Sequence, residues 1–402
     1  MCTFAPKFRG NTFIQLGIMT LAQNSVRFFI GLMFTIGTTF AFASEEQGHE
    51  KQHGEHAAHG HVEGHDAHEA HGEDHGGHGY EGKIDSPEEI QAYKEHHLQD
   101  AHDFVLFSDN EEGTHFGFPL PVILWDGETG MHFFMSSKFH HGEAVAESNG
   151  AFFKLAHGKI VKTDAAGEAD LGHPIDFSIT KNVLGMLVAG LLMIFMFGAL
   201  AKSYKKGPVP TGLGRILEPL VIYVRDEIAR PNIGEKHYKK FMSFLLTVFF
   251  FIWILNLLGL TPLAFNVTGN IAVTACLALF TFIIVQFSGN KHYWGHIFWM
   301  PGVPVPMKII LAPIEVLGMF TKPFSLLIRL FANITAGHMV LMSLIALTIV
   351  LKAQFGPAGS TAISLFLSLF ISLIELLVAF LQAYIFTMLS SLFIGMAVEE
   401  HH

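Results

Sequence analysis

Five long apolar stretches constrain the fold of this 402-residue chain more than any other feature. They cover about residues 179–201, 241–265, 267–288, 311–351 and 361–397. Each stretch is long enough to cross a hydrocarbon core about 30 Å thick as a helix, and the last two are long enough to tilt strongly. The sequence therefore predicts an all-α polytopic membrane protein with five transmembrane helices.

The composition agrees with this class. Half of the residues are hydrophobic and only 15% are charged, which is typical of a polytopic membrane protein rather than of one soluble core. The formal net charge of -10 is uneven, because acidic residues crowd the region before residue 175 while Lys and Arg cluster beside the later spans. We therefore expect no nucleic-acid partner. The two cysteines, Cys2 and Cys276, predict no disulfide framework.

The first 43 residues have the pattern of a targeting segment. Arg27 precedes a short apolar core, and small residues stand at Ala41 and Ala43. This pattern resembles a secretory signal peptide, residues 1–43, cleaved after Ala43. The alternative is an uncleaved first membrane helix, and Met19 is a second possible start of translation.

Residues 44–83 form a His-rich segment. Between residues 49 and 78 the chain is rich in His, Gly, Glu and Asp and contains no Leu, Ile or Phe. Such a composition cannot bury enough apolar surface to fold alone, so we predict disorder. Imidazoles at this density could bind a metal weakly, but the spacing is irregular and no Cys assists, so no metal site is assigned. The histidines concerned are His53, His56, His59, His61, His65 and His68.

Residues 84–175 contain short β-prone runs such as "DFVLFSD" and "THFGFPLPVILWDG", separated by Gly, Asp and Asn. This spacing predicts a small β-rich extramembrane region. The region carries scattered histidines but no arrangement typical of a catalytic site.

Basic flanks predict the orientation of the spans. The first span ends in "AKSYKK" and the second is preceded by "EKHYKK". By the positive-inside rule both flanks are cytoplasmic, which makes the N-terminal region periplasmic and the C-terminus cytoplasmic in the cell inner (plasma) membrane. Between the two flanks, "LGRILEPLVIYVRDEIARPN" has apolar residues at helical spacing and predicts an interfacial helix that ends at Pro231.

Polar and ionisable residues lie inside the last two spans. An arginine near the bilayer centre costs at least roughly 2.5 to 3.5 kcal/mol, and ionisable groups in spans usually face each other or a water-filled path. A functional role is therefore favoured over simple helix packing for Arg, Glu and His together, whereas a lone Ser or Asn in a span favours a helix-packing hydrogen bond. The residues are Glu315, Ser325, Arg329, Asn333 and His338 in the fourth span, and Glu375 and Gln382 in the fifth.

Helix geometry groups these residues. The short connection between the two spans predicts that they are antiparallel, and a single register then places Arg329 level with Gln382 and His338 level with Glu375. At 100° per residue, Ser325 and Glu315 lie within about 40° of Arg329, whereas His338 lies about half a turn away. Two separate polar surfaces thus leave the arginine, as two half-channels would require.

Two segments carry a family resemblance. "SLLIRLFANITAGH" and "LIELLVAFLQAYIFTMLSSLFIGMAVEEH" resemble the signature segments of subunit a of the rotary F-type ATP synthase. The likeness extends over residues 176–402, including "NLLGLTP", and defines the predicted membrane domain. It implies a non-catalytic, proton-translocating stator subunit whose partners are the c-ring, the b subunits, the catalytic sector and membrane lipid, with no cofactor.

The resemblance also implies roles for single residues. Arg329 would face the rotor carboxylate, with Asn333 and Gln382 beside it. His338, Glu375 and Asn270 would belong to the outer half-channel, and Glu315 and Ser325 to the cytoplasmic one. The family commonly has Gly where Ala332 stands. Some members carry Glu and His in the reverse order at 338 and 375.

The alternative belongs to a different class of function. A proton- or metal-coupled secondary transporter, fed by the His-rich tail, would have inverted repeats and a binding site at the midplane. The sequence shows no such repeat. It also contains no phosphate-binding loop of the G-x-x-x-x-G-K-[ST] type, so ATP chemistry would lie in other subunits.

Overall fold

The computed structural model describes residues 102–109, 114–142, 144–156, 158–207, 209–261, 265–300 and 302–399. The chain divides into two compact units, which meet in the sequence at Val183 and Leu184. The signal peptide predicted for residues 1–43 and the His-rich segment 44–83 lie outside the described residues and stay predictions. The predicted domain boundaries after residues 43, 83 and 175 also stay predictions.

The described part of the first unit is built from short antiparallel strands, which confirms the predicted β-rich region. They form sheets with the orders β1-β2, β4-β3-β8 and β5-β6-β7. The strands are β1 (Asp103–Asp109), β2 (Thr114–Pro119), β3 (Pro121–Asp126), β4 (Gly130–Met135), β5 (Ala146–Ser148), β6 (Ala151–Ala156), β7 (Lys159–Thr163) and β8 (Ile175–Asp176).

A small core joins the two three-stranded sheets. Val122 and Leu124 of β3 and Phe134 of β4 point inward and pack with Phe153 of β6. At the end of β3, Lys162 Nζ of β7 donates to Asp126 at 2.8 Å. This hydrogen bond lowers the pKa of Asp126 to about 2, so the pair stays charged at neutral pH.

Helices make up the second unit, and among the described residues they contain five segments that are long and apolar enough to span a membrane. This confirms the predicted fold class. The five spans are Lys181–Lys205, Tyr238–Gly259, Ile271–Ser288, Val305–Gly337 and Ala358–Val398. The helices are α1 (Lys181–Lys206), α2 (Leu213–Tyr223), α3 (Arg230–Ile233), α4 (Tyr238–Gly259), α5 (Ile271–Ser288), α6 (Lys291–Phe298) and α7 (Val305–Val398).

The last two predicted spans are the two limbs of α7. The helix is interrupted at Gly356, whose φ of 71° lies in the left-handed region that favours glycine. The limbs run antiparallel, because Ser364 Oγ donates to the Leu344 carbonyl at 3.2 Å and Lys322 Nζ lies 5.4 Å from the Phe393 ring centre. The predicted antiparallel arrangement is confirmed. The connection is shorter than the sequence suggested, since helix continues on both sides of this one glycine.

The segment between α1 and α4 corrects one prediction. Pro231 does not end the interfacial helix, because α3 contains it and ends before Gly234, whose φ is 84°. A π-helical turn at Val224–Ala229 precedes α3. This turn changes the hydrogen-bond register, so Pro231 stands in the first turn of a new helix, where its missing N–H costs nothing.

Candidate functional site

A cavity of about 340 Å³ lies between the end of α4, the segment before α5 and the two limbs of α7. Most of its lining is apolar, which makes the polar members informative. They are Asn256, Thr268, Asn333 and Glu375. The cavity therefore brings a carboxylate, two amides and a hydroxyl together inside the membrane domain.

Glu375 is the ionisable member among these lining residues. It is half-buried, and among the described residues none donates a hydrogen bond to its Oε1 atom, which is fully buried. A Cβ atom added to Gly337 would lie 3.1 Å from this Oε1, so the missing side chain at Gly337 leaves room for the carboxylate. His338 follows Gly337 in the same limb, and its side chain is outside the described part. Its pairing with Glu375 stays a prediction.

Asn256 and Thr268 are two cavity residues that the sequence patterns do not identify. Asn256 is 2% exposed and accepts a hydrogen bond from Thr268 Oγ1 at 3.1 Å. Its Nδ2 donates to the Ala379 carbonyl at 3.2 Å, which links α4 to the second limb of α7 one turn from Glu375. A lone Asn in an apolar span predicts only a helix-packing hydrogen bond, and the fold shows which groups it contacts.

Arg329 lies on an exposed face of the first limb. Ser325, Ala332 and Ala336 are exposed on the same face, at helical spacing. Among the described residues none forms a hydrogen bond or ion pair with the guanidinium. Since arginine keeps its charge, this face presents an uncompensated positive charge within a membrane span.

The other predicted site residues lie in different surroundings. Asn333 lines the cavity, and Gln382 is 4% exposed, with no described partner for its Nε2. Glu315 is half-buried on the first limb and does not line this cavity. Asn270 caps α5, its Oδ1 accepting from Ala272 N at 2.9 Å, and it is likewise absent from the lining. Their roles stay predictions.

Both limbs of α7 leave most of their surface uncovered. Only 6% of the most apolar window in the first limb and 11% in the second are buried, against 67% in α4. The uncovered residues are large and apolar, so lipid or other proteins must cover them. Examples are Leu317, Phe320, Phe324, Leu369 and Leu373. Among the described residues, no three His, Cys, Asp or Glu side chains are close enough to hold a metal ion.

Two family models match the chain. The model described as ATP synthase A chain matches residues 183–395. A second, described as a domain of unknown function (DUF8433), matches residues 93–177. The first match covers the helical unit, and the second covers the β-rich region.

Curated relatives agree with the first match. ATP synthase subunit a 2 of Chlorobaculum tepidum is 46% identical over 243 residues, which are 58% of this chain and 67% of the relative. ATP synthase subunit a of Chloroherpeton thalassium is 43% identical over 235 residues, 56% of this chain and 69% of the relative. ATP synthase subunit a 2 of Prosthecochloris aestuarii is 40% identical over 278 residues, 64% of this chain and 84% of the relative. Because the first family model matches more than half of the residues, and relatives above 40% identity are covered over two thirds of their length, the resemblance is confirmed and the chain belongs to the ATP synthase subunit a family.

Proposed function

We propose that this chain provides two proton half-channels on either side of Arg329 and so couples proton flow to rotation of a c-ring. As a member of the subunit a family it is a multi-pass, non-catalytic subunit that works within an ATP synthase. The observation that carries the proposal is the exposed position of Arg329 on the uncovered face of α7. Four residues further along the same limb, Asn333 lines the cavity that contains Glu375.

The uncovered apolar surface of both limbs supports a c-ring as the partner. A carboxylate on a rotating ring can cross the lipid face only in its protonated form, because an ion there is too costly. Beside Arg329 the opposite charge favours the ionised form, so the carboxylate releases its proton. It reloads from the other half-channel, and the arginine blocks direct passage between the two.

The cavity is the proposed outer half-channel. Glu375 and Asn333 line it, together with Asn256 and Thr268. We place His338 in the same path, because it follows the cavity-lining Gly337. Water held by these polar groups would connect Glu375 to the surface, since a proton moves between groups within hydrogen-bond reach or through one water.

The second half-channel is assigned to the cytoplasmic part of the first limb. Glu315 and Ser325 stand on the same side of the helix as Arg329, within about 40° by helix geometry. Gln382 of the second limb is level with Arg329 in the antiparallel register and would flank it. The electrical driving force on each transferred charge is about 2.3 kcal/mol per 100 mV.

Orientation and partners belong to the same proposal. The basic flanks of α1 and α4 favour a cytoplasmic C-terminus and a periplasmic β-rich region in the inner membrane. The proposed partners are the c-ring, the b subunits and the catalytic sector. Family membership supports this reading over a proton- or metal-coupled secondary transporter.

Substitution of Arg329 tests the proposal. We expect Arg329→Ala to abolish ATP-driven proton pumping and gradient-driven ATP synthesis in vesicles while the complex still assembles. Arg329→Lys should fail as well, because lysine keeps the charge but loses the planar guanidinium and its reach. Arg215→Ala is the matched control, since Arg215 is an exposed arginine of α2 and should leave pumping unchanged. Normal coupled pumping by either Arg329 variant would refute the proposed role.

A further inference from the structure

The sheet β4-β3-β8 has an outer face that is apolar at every position. Strand register places Ile175, Trp125 and Met131 in one row. Phe177 N donates to the Ile123 carbonyl at 2.8 Å, and Ile123 pairs with Phe133. These three residues form a second row. Ile179 N donates to the Pro121 carbonyl at 3.1 Å, and Pro121 pairs with Met135. We call these nine residues the outer grid.

The opposite face of the same sheet is already a core. Val122, Leu124 and Phe134 alternate with the grid residues and are buried against the second three-stranded sheet. An antiparallel sheet with one buried face normally carries polar residues on its other face. The outer grid breaks this alternation, so its apolar character has to be explained by something other than the domain core.

The grid is exposed within this chain. Six of its side chains leave between 39% and 67% of their surface accessible, and they are contiguous through the strand register. The six are Trp125, Met131, Phe133, Met135, Ile175 and Phe177. A contiguous apolar patch of several large side chains marks a surface that contacts a membrane or another molecule.

Chain connectivity indicates what covers the outer grid. The strand pairing continues to Ile179, and the membrane helix α1 begins two residues later, at Lys181. Two residues span at most about 7 Å, so the row that contains Ile179 must stay close to the first residue of α1. We infer that the outer grid rests on the bilayer surface that α1 enters and that its side chains insert among the lipid headgroups and upper acyl chains. The inference holds whichever side of the membrane the unit occupies.

The residue types fit this environment. Trp is enriched at membrane interfaces because its ring combines an apolar body with a polar N–H. Trp125 stands in the row of the grid that is farthest from α1 along the strands. Phe, Met, Ile and Pro supply apolar surface without charge. At the end of β3, Lys162 pairs with both Asp126 and Glu128, so these charged groups are not unpaired beside the grid.

Quenching of Trp125 fluorescence by brominated lipid tests the inference. The complex is reconstituted with a chain that carries Trp253→Phe, Trp294→Phe and Trp299→Phe, so that Trp125 is its only tryptophan. Bromine is placed on the upper acyl chain of phosphatidylcholine. An interfacial indole lies about 5–10 Å into the boundary of headgroups and acyl chains, so we expect about half of the Trp125 emission to be lost. The same complex with Trp125→Phe gives the background.

Two added substitutions control this measurement. Phe133→Glu puts a carboxylate in the centre of the grid and should remove most of the quenching. Leu171→Glu is the matched control, because Leu171 is 59% exposed but lies outside the grid, and it should leave the quenching unchanged.

A second experiment works in a chain with its native tryptophans. A benzophenone side chain replaces Phe133 in one sample and Leu171 in the other, and both are irradiated in the assembled complex. Lipid adducts at position 133 that exceed those at 171 support the inference. Adducts of position 133 to this chain or to another polypeptide, without lipid adducts, overturn it, as does Trp125 emission that brominated lipid leaves unchanged.

Discussion

Asn256 uses both ends of its side-chain amide in contacts between distant parts of the chain. Its oxygen accepts from Thr268 and its nitrogen donates to Ala379, so one residue joins α4, the segment before α5 and the second limb of α7. In a bilayer an amide without partners is costly, because lipid supplies none. Asn256 therefore has a structural role at the cavity wall in addition to its place in the proposed proton path.

We predict that Asn256→Leu destabilises the assembled complex by about 1 to 2 kcal/mol, because the Thr268 hydroxyl and the Ala379 carbonyl both lose a partner. Thr268→Val should cost less, since it removes one bond. Thermal unfolding of the detergent-solubilised complex measures both effects. The double variant should be less destabilised than the sum of the single variants, because the residues are in contact. Strict additivity would show that the hydrogen bond contributes nothing.

The proposed pairing of His338 with Glu375 predicts an exchange result. His338→Glu alone would put two carboxylates together and Glu375→His alone two imidazoles, so each should slow proton translocation. The double exchange restores one imidazole and one carboxylate and should recover more proton flux in inverted vesicles than either single variant. Assembly is checked separately. A double variant as poor as the worse single variant would mean that the two residues are not interchangeable partners.

At the scale of elements, the C-terminal end of α7 is held by two preceding segments. Asn290, before α6, donates through its backbone N to the Ala397 carbonyl at 3.0 Å and through Nδ2 to the Val398 carbonyl at 2.9 Å. Asn232 of α3 donates to Ser391 Oγ at 3.0 Å. The two bonds from Asn290 satisfy carbonyls at a helix end that would otherwise lack partners, and the bond from Asn232 goes to a side-chain hydroxyl one to two turns earlier. They fix the second limb near the segment that contains Gln382.

Gly395 gives a prediction at this scale. A Cβ atom at position 395 would overlap the carbonyl oxygen of Asn232, so Gly395→Ala must push α3 and α7 apart. We expect poor assembly and a lower midpoint of thermal unfolding. Gly198→Ala in α1 is the matched control, because nothing lies within 4 Å of its added Cβ, and alanine favours a helix by about 1 kcal/mol over glycine. Equal stability of the two variants would contradict the close packing at Gly395.

At the scale of the whole molecule, two units carry different kinds of sequence. The helical unit matches the subunit a family over residues 183–395, and the β-rich region matches a domain of unknown function over residues 93–177. The His-rich residues 49–78 precede both matches. All the residues to which we assign proton transfer belong to the helical unit.

We therefore predict that a chain without residues 49–78 still assembles and pumps protons on addition of ATP. The segment has no Leu, Ile or Phe with which to form a folded core around a fixed site, so its loss should lower only weak binding of zinc or nickel. Acidification of inverted vesicles measures pumping, and metal retention on a chelating column measures binding. Complete loss of pumping in a normally assembled complex would show that the segment takes part in translocation.

The sequence by itself determined the five spans, the antiparallel pairing of the last two and the family. Hydropathy and helix rise are local properties, and a bilayer of known thickness converts them into spans. The signature segments around Arg329 and Gln382 identified the family from the sequence alone, because each is a continuous run of residues. The end of the interfacial helix was predicted wrongly, because a π-helical turn at Val224–Ala229 precedes Pro231 and leaves it in the first turn of α3.

Only the tertiary structure decided which distant residues meet. The bond between Asn256 and Ala379, the room that Gly337 leaves for Glu375 and the pairing of β8 with β3 join residues far apart in the chain. No local periodicity records such contacts, because each depends on how whole elements pack. The outer grid shows this most clearly: Ile123, Phe133 and Phe177 are scattered apolar residues in the sequence and become one surface when strand register aligns them.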